Sequence, residues 1–542
     1  MKRIFFLTCL LCMANILWAQ DITITGTVTS SEDGAPVPGA NVVLKGTSTG
    51  TITDVDGQYS IDAPGNGTLV ISFVGLETTE IAINNQTVID VGMAISTLQV
   101  DEVVVIGYGT ARVKDLTSSM QTVKADDLTK TPSTQPIEGL QGKVAGMQIV
   151  SSGAPGTTPW VRIRGIGSYP GDRPEDKNES PLYVVDGMFF DDIDFLNSSD
   201  IESISVLKDA TAAAIYGVRA ANGVVLITTK SGHLNQKAEI TYDGYYGVQI
   251  AQDVLKMANS EQFTNMAMES GSAADSMFIL NAMQRYGRSD INPNVPAPNT
   301  DWYNEILRPA EIQNHSLNLS GGSSRASYSV GTNYMFQEGI MDMKNEYERF
   351  NLRSKIDYNA TDWLTVGGSM IISNATNYKH EEGAWHTTYY AVPVMPVIDE
   401  QNVDAWPTQY ASAEHMGYRG AKNPFEVMDY NEKRHKSMKV LTSFYAKIDF
   451  IPKKLSFKST YNQSYSNFNI REIRMPFYIS NASQREESVV TKKADTYNNI
   501  FWDNVLTYTN TFAQDHNLVL MAGTSYRQEG FQKLEARGIN FP

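Results

Sequence analysis

The residues with the greatest reactive potential are few. Gly46-Thr47-Ser48-Thr49-Gly50 has the spacing of a serine-hydrolase elbow, in which a tight turn from strand to helix lifts a serine nucleophile. The residues that follow, Thr51-Ile52-Thr53, are strand-like rather than helical, and no histidine precedes His233 to take the proton. Asp54 and Asp56 with Gly57 begin like a calcium loop, but Gln58 stands where a third carboxylate is needed and the closing glutamate is missing. A tight turn between strands, with Gly57 at positive φ, is expected instead. His380-Glu381-Glu382 and His386 have zinc-ligand chemistry, yet the chain has no H-E-x-x-H and the group sits among Gly383, Ala384 and aromatics in a loop-like stretch. Gly165-Ile166-Gly167 continues as Ser168-Tyr169-Pro170, without the third glycine or the helix of a dinucleotide fingerprint. No enzyme is expected, and no cofactor or metal.

The elements around these residues point elsewhere. Met1-Lys2-Arg3, the apolar run Ile4 to Leu17 and the small residue Ala19 read as a secretory signal peptide over 1–19, with the mature chain beginning at Gln20. Cleavage there removes Cys9 and Cys12, so thiolate and disulfide chemistry is excluded from the mature protein. The net charge of −16 argues against nucleic acid as a partner, because phosphate binding needs lysine and arginine to displace counterions. No later segment approaches eighteen consecutive apolar residues. A mature chain that crosses a membrane must therefore do so as a closed barrel, which satisfies its backbone without helices.

Residues 20–99 alternate apolar and polar positions in short pieces, Ile22-Thr23-Ile24-Thr25, Asn41-Val42-Val43-Leu44, Leu69-Val70-Ile71-Ser72-Phe73 and Ile81-Ala82-Ile83. Asp33-Gly34, Asp56-Gly57 and Pro64-Gly65 punctuate them, which predicts a β-sandwich of roughly seven strands. Gly26-Thr27-Val28, Pro38-Gly39-Ala40-Asn41-Val42 and Thr53-Asp54-Val55-Asp56-Gly57-Gln58-Tyr59 resemble the carboxypeptidase regulatory-like domain.

Within 100–109, Asp101-Glu102-Val103-Val104-Val105-Ile106-Gly107 is an acidic pair, four β-formers and a glycine. It is either an unpaired strand that another sheet could recruit or an internal strand of a neighbour. Residues 110–232 mix strands with short helices. Pro136 to Met147 reads as a short helix running into a glycine turn, Leu182-Tyr183-Val184-Val185 as a strand ending in the turn Asp186-Gly187, Ala210 to Gly217 as a helix, and Asn222-Gly223 as the turn before a strong strand. Alternation puts Arg162 and Arg164 on one strand face, which must be solvated or paired with carboxylates. We expect both arginines to bridge this domain to acidic residues of the wall described next.

The ordered blocks Gly139-Leu140-Gln141-Gly142-Lys143-Val144-Ala145-Gly146, Arg162-Ile163-Arg164-Gly165, Leu182-Tyr183-Val184-Val185-Asp186-Gly187, Ile201-Glu202-Ser203-Ile204, Val206-Leu207-Lys208-Asp209-Ala210, Ala213-Ala214-Ile215-Tyr216-Gly217 and Arg219 with Asn222-Gly223 closely resemble the plug of SusC-like TonB-dependent outer-membrane receptors. Ala220 departs from the family, which usually has glycine there. The resemblance implies that Asp101 to Gly107 is the TonB-interacting segment and that a SusD-like surface lipoprotein is a partner. It also implies outer-membrane lipid around the chain and an oligosaccharide or peptide as substrate.

From His233 onward the composition changes: the first 232 residues hold 13 aromatics and the remaining 310 hold 41. Period-two segments recur, as at Tyr328, Val330, Thr332, Tyr334 and Phe336, or Phe350, Leu352, Ser354, Ile356 and Tyr358. One apolar face, one small or polar face and aromatics near the ends fit lipid-facing barrel strands, although periodicity alone also fits a large soluble sandwich. Trp302, Trp363, Trp406 and Trp502 are either interfacial belt residues or ordinary packing. Trp385, Tyr389, Tyr390 and Trp406 fall in loops and could stack on sugar rings or belong to the rim.

The expected architecture is mainly β: an N-terminal sandwich, an α+β plug over 110–232, and the first part of a transmembrane β-barrel over 233–542. The expected function is TonB-dependent import across the outer membrane, and the alternative is a secreted or surface glycan-binding β-protein without transport. The resemblance implies 22 strands, whereas nine or ten are legible here. Arg527 to Pro542, with Gly530 and Gly538, lacks a clean alternating terminal strand, so a truncated chain is expected rather than a complete smaller barrel.

Overall fold

In a computed structural model, the described residues are 21–541 except 32–33, 48, 74–75, 95–102, 107–108, 113–119, 131, 166–179, 210–212, 380–382, 419 and 513–515. The signal-peptide reading of 1–19 lies outside the described residues, as do Ser48 and His380-Glu381-Glu382. The chain divides into two compact units, Met1–Val104 with Arg112–Asp115 and Val105–Ala111 with Leu116–Pro542.

The first unit contains β1 (Asp21–Ser30), β2 (Asn41–Leu44), β3 (Gly50–Ile52), β4 (Gln58–Pro64), β5 (Thr68–Ser72), β6 (Thr79–Ala82) and β7 (Val91–Met93). They form two sheets, β4-β1-β7 and β3-β2-β5-β6. Alternation turns Ile24, Val28, Val42, Leu44, Tyr59, Ile61, Leu69 and Ile71 into one core. Asp54 Oδ1 accepts the backbone N–H of Asp56 at 3.0 Å and of Gln58 at 2.8 Å, so this carboxylate shapes a turn. Gly57 sits at φ 75°, where a Cβ would lie 2.6 Å from the Val28 carbonyl. The boundary itself falls in a two-stranded sheet of β8 (Val103–Ile106) and β9 (Gly109–Arg112).

The second unit begins with the plug: β10 (Met120–Lys124), α1 (Ala125–Thr129), a 3₁₀ turn Pro136–Leu140, β11 (Met147–Val150), β12 (Trp160–Ile163), β13 (Leu182–Val185), β14 (Met188–Phe190), β15 (Ile201–Leu207) and β16 (Val224–Thr229). Its main sheet has the order β10-β15-β16-β13-β14, with β13 and β16 parallel. Both are apolar runs buried on both faces, as central strands require. Asp186 and Gly187 have φ of 47° and 90°, the pair of left-handed residues that a two-residue hairpin needs. The helix expected over 210–217 is a 3₁₀ segment, Ala214–Ala220, broken at Gly217, with 210–212 outside the described residues.

The wall follows as β17 (Glu239–Gln249), β18 (Ala310–Gly322), β19 (Ala326–Glu338), β20 (Glu346–Asn359), β21 (Leu364–Lys379), β22 (Asn431–Ile451), β23 (Leu455–Arg474), the short hairpin β24 (Phe477–Ser480) and β25 (Ser483–Arg485), then β26 (Val489–Phe512) and β27 (His516–Ile539). All but the short hairpin join one nine-stranded antiparallel sheet in chain order, in which β17 and β27 are not paired with each other. Arg527 to Ile539, expected to lack a clean alternating terminal strand, is strand: Gly530 and Gly538 sit in register opposite Asn498 and Val490, where backbone pairing needs no side chain.

Connections alternate in length. Tight turns close β18–β19, β20–β21 and β22–β23, whereas the opposite end carries long segments with α2 (Ser260–Glu269), α3 (Ala273–Tyr286), α4 (Trp302–Ile306), α5 (Gly383–Tyr390), α6 (Phe425–Met428) and the β24–β25 hairpin. Short periplasmic turns and long external loops are the habit of outer-membrane barrels. The external segments pack on one another through Phe278, Ile279, Met283, Trp302, Val394, Met395 and Met416. Trp302 is thus a core residue of this cap and not a belt residue, its indole N–H donating to the Val392 carbonyl at 2.8 Å.

The two faces of the wall are inverted relative to a soluble sandwich. Phe350, Ile356, Phe444, Phe450 and Trp502 are exposed on the outside, while Ser329, Asn333, Gln337, Arg349, Asn351, Arg353 and Lys439 are buried against the plug. A soluble sandwich buries the apolar face instead.

Candidate functional site: the seam between plug and wall

Register builds the seam in layers. Direct pairing places Asn318, Gly331 and Arg353 at one level, Ser316, Asn333 and Asn351 at the next, and Asn314, Met335 and Arg349 at the third, all pointing inward from β18, β19 and β20. At the first level the Arg353 guanidinium, 1% exposed, pairs through Nε with Asp200 Oδ1 at 3.1 Å. It also donates to the Lys230 carbonyl at 2.6 Å and to Ser329 Oγ at 3.1 Å. Gly331 makes room for this pair, since a Cβ there would stand 2.8 Å from Asp200 Oδ1.

Between the second and third levels Asn197, whose side chain caps the 3₁₀ turn Ser198–Asp200, donates through Nδ2 to Asn314 Oδ1 at 2.9 Å. Asn333 Nδ2 donates to the same oxygen at 2.7 Å and to Ser316 Oγ at 2.8 Å. Ser199 Oγ reaches Ser316 Oγ at 2.6 Å, and Asn351 Nδ2 reaches the Phe195 carbonyl at 2.9 Å. At the third level the fully buried Arg349 donates to the Asp194 carbonyl, while Lys439 of β22, in register with Asn351 through Ser373, pairs with Asp194 and, at 2.9 Å, with Asp192. Burial pushes the Asp194 carboxyl above the ordinary carboxylate range, and Lys439 opposes that shift. Among the described residues, Ile371 and Leu441 of the wall enter the apolar core of the plug.

The polarity of this seam corrects the expectation for Arg164. At these three levels the wall supplies the cations and the plug the carboxylates, and Arg164, at φ 58°, pairs with Asp209 of the plug itself at 2.5 Å. Arg162 lies over the Trp160 ring at 5.3 Å. Arg219 of the plug does reach the wall, its Nη2 3.3 Å from Glu529 Oε1. Lys208 Nζ donates to Gln121 Oε1 at 3.0 Å, tying β15 to β10. Asp186 accepts from Thr229 N at 3.1 Å and lies 3.7 Å from Lys355 of the wall. Gly165, Gly187 and Gly223 all take positive φ, and a Cβ on Gly223 would press on Ile163 Cδ1 at 2.9 Å. Asn222 stands in the turn before β16.

Val103, Val104, Val105 and Ile106 are strand, paired with β9 rather than unpaired, and belong to neither neighbouring sheet. Asp101, Glu102 and Gly107 lie outside the described residues. Trp385, Tyr389 and Tyr390 come together on α5, with Tyr389 edge-on to Tyr390 at 5.1 Å and Trp385 tilted on Tyr303 at 5.6 Å. Trp406 stands apart from α5 in the chain, bridged through its backbone to Tyr478.

A sheet that is apolar outside and polar inside, strand-spanned and wrapped on a folded domain, defines a plugged outer-membrane β-barrel receptor. Residues 24–105 match the CarboxypepD_reg-like domain and residues 112–224 the TonB-dependent Receptor Plug Domain. TonB-dependent receptor P3 of Formosa agariphila is 32% identical over 97% of this chain and 50% of its own length. TonB-dependent receptor SusC of Bacteroides thetaiotaomicron is 32% identical over 68% of this chain and 38% of its own. The RagAB peptide importer in its open-open state shares the fold at a TM-score of 0.65 and 24% identity, over 81% of this chain and 50% of that one. The chain belongs to the SusC/RagA family of TonB-dependent outer-membrane receptors. It spans about half the length of the curated relatives it matches.

Proposed function

We propose that the protein works in TonB-dependent import of oligosaccharides across the outer membrane, with a SusD-like lipoprotein at its external face. The observation that carries this reading is the seam. A folded domain held against the wall by hydrogen bonds and ion pairs must shift before a bulky solute passes, and the outer membrane has no nucleotide to drive it. Force from a periplasmic partner on residues 101–107 supplies the work. The two-stranded β8–β9 sheet supports this role, because its outer edge can accept a further strand by backbone pairing. The exposed aromatics of α5 favour sugars, whose apolar ring faces stack on them; the RagAB structure is that of a peptide importer, which makes peptides the competing cargo.

Val104→Pro tests the coupling. Proline removes one N–H from the pairing strand and leaves plug and wall folded. Uptake of labelled oligosaccharide by cells that depend on this protein is expected to fall to the deletion background at normal surface abundance. Undiminished uptake refutes the assignment.

A further inference from the structure

Along β22 the outward side chains Phe450, Ile448, Phe444, Val440 and Met438 are apolar. At about 3.4 Å per residue and a tilt near 40° they cover roughly 30 Å of height, the thickness of a bilayer core. Phe450 lies at the short-turn end, so Met438 marks the external edge of this band. The next outward positions, Lys436 and Arg434, stand roughly 5 to 10 Å above it, at the level of the outer-leaflet head groups.

At that level register assembles a row of cations. Arg434 pairs directly with Arg471 and Arg471 with Lys492, on three adjacent strands and all facing outward, with Lys436 one outward position below. Like charges directly opposite one another repel, and here they meet in a chain of net charge −16. Glu432 pairs with Arg471. Among the described residues no carboxylate comes within ion-pair distance of Arg434, Lys436 or Lys492. The outward carboxylates Glu346 and Glu348 lie two strands away, across Tyr378 and Thr376, at roughly 10 Å. On the far side Lys492 faces Ala536.

We propose that Arg434, Arg471, Lys492 and Lys436 bind the phosphate groups of a phosphorylated glycolipid in the outer leaflet. Phosphate oxygens accept the guanidinium fork and the ammonium donors together, which turns mutual repulsion into a shared site. Continuity with the apolar band directly beneath favours a lipid over a free anion: acyl chains lie along Met438 and Tyr465 while the head group meets the row.

The test uses the full chain purified in detergent, titrated with bis-phosphorylated lipid A and read by native mass spectrometry. In Arg434→Gln/Lys436→Gln/Lys492→Gln, which leaves Arg471 with Glu432, affinity is expected to fall on the order of a hundredfold, at about a factor of five for each cation near a charged surface. Dephosphorylated lipid A should bind the unaltered protein as weakly as bis-phosphorylated lipid A binds the variant, and Lys454→Gln, at the opposite end of β22, should bind normally. If the triple variant does not fold, Lys436→Gln/Lys492→Gln, both at exposed positions, is read in its place. Unchanged affinity in the folded variant overturns the proposal, as does equal binding of the dephosphorylated lipid. Displacement of lipid A by equimolar inorganic phosphate would reassign the row to a free anion.

Discussion

The seam and the external cap are both buried, and they are held in opposite ways. The plug meets the wall through Asn197, Ser199 and Asp200 against Asn314, Ser316 and Arg353, with Ile371 and Leu441 as the wall's share of the apolar core. The cap is closed by Phe278, Ile279, Trp302, Met395 and Met416. Water can replace a hydrogen bond at a net cost of about 1 kcal/mol, whereas exposing apolar surface costs about 25 cal/mol per Å². A polar seam therefore lets a domain move and be re-solvated, while an apolar cap stays folded through that movement. The difference separates the part that must give way from the part that must keep its shape.

The strongest way to break this comparison is at Arg353. Truncation to alanine leaves the Asp200 carboxylate buried without its partner, which costs about 3 to 5 kcal/mol. The thermal unfolding midpoint of the detergent-solubilised protein should fall accordingly. Arg353→Met with Asp200→Leu should recover most of the loss, because the uncompensated charge is removed along with its partner. A single variant that melts like the unaltered protein would show that the plug is not held here.

A smaller and local effect is expected at Ile279 of α3, fully buried in the cap. Ile279→Ala leaves a cavity and costs about 2 to 4 kcal/mol. Limited proteolysis should then cut the 250–310 and 379–431 segments faster while the plug stays protected. Loss of plug protection in this variant would mean that cap and seam are one cooperative body, and the contrast drawn above would fail.

Much of the wall was legible because one physical signal, alternation, marks most of its strands: the residues of Tyr328 to Phe336 and Phe350 to Tyr358 read at period two face outward. The turn at Asp186-Gly187 was legible because only residues tolerant of positive φ suit a two-residue hairpin. The seam was not. Asn333, Arg349 and Arg353 occupy the face opposite the aromatics, but a polar residue facing water and one facing a plug read alike, and Asp200 lies far away in sequence from Arg353. Arg162 and Arg164 drew attention as charges on a strand, although Arg164 pairs with Asp209 within the plug. The cap helices left a signal that was missed: Asn259 and Gln262 form a capping box, and Ser272 caps α3 through Asp275 N.

The least effect is expected from a titration inside the cap. Glu426 of α6 is buried, and burial pushes its carboxyl above the ordinary glutamate range, with Ser483, Lys422 and Arg485 opposing. The folded cap therefore holds this proton more tightly than the unfolded chain does. Its contribution is fully present below the unfolded glutamate value and is lost as pH rises through the higher folded value. Glu426→Gln keeps the volume and a partner for the Ser483 hydroxyl but cannot ionise. The pairing it gives up, with Lys422 at 3.5 Å, involves a lysine that is half exposed and contributes little. Hydrogen exchange of the 423–430 amides should show equal protection for both proteins at acidic pH and greater protection for the variant at neutral pH. Slower exchange in the unaltered protein as pH climbs through that window, after correction for the intrinsic rate, would reverse the sign and place the ionised carboxylate among the groups that hold the cap closed.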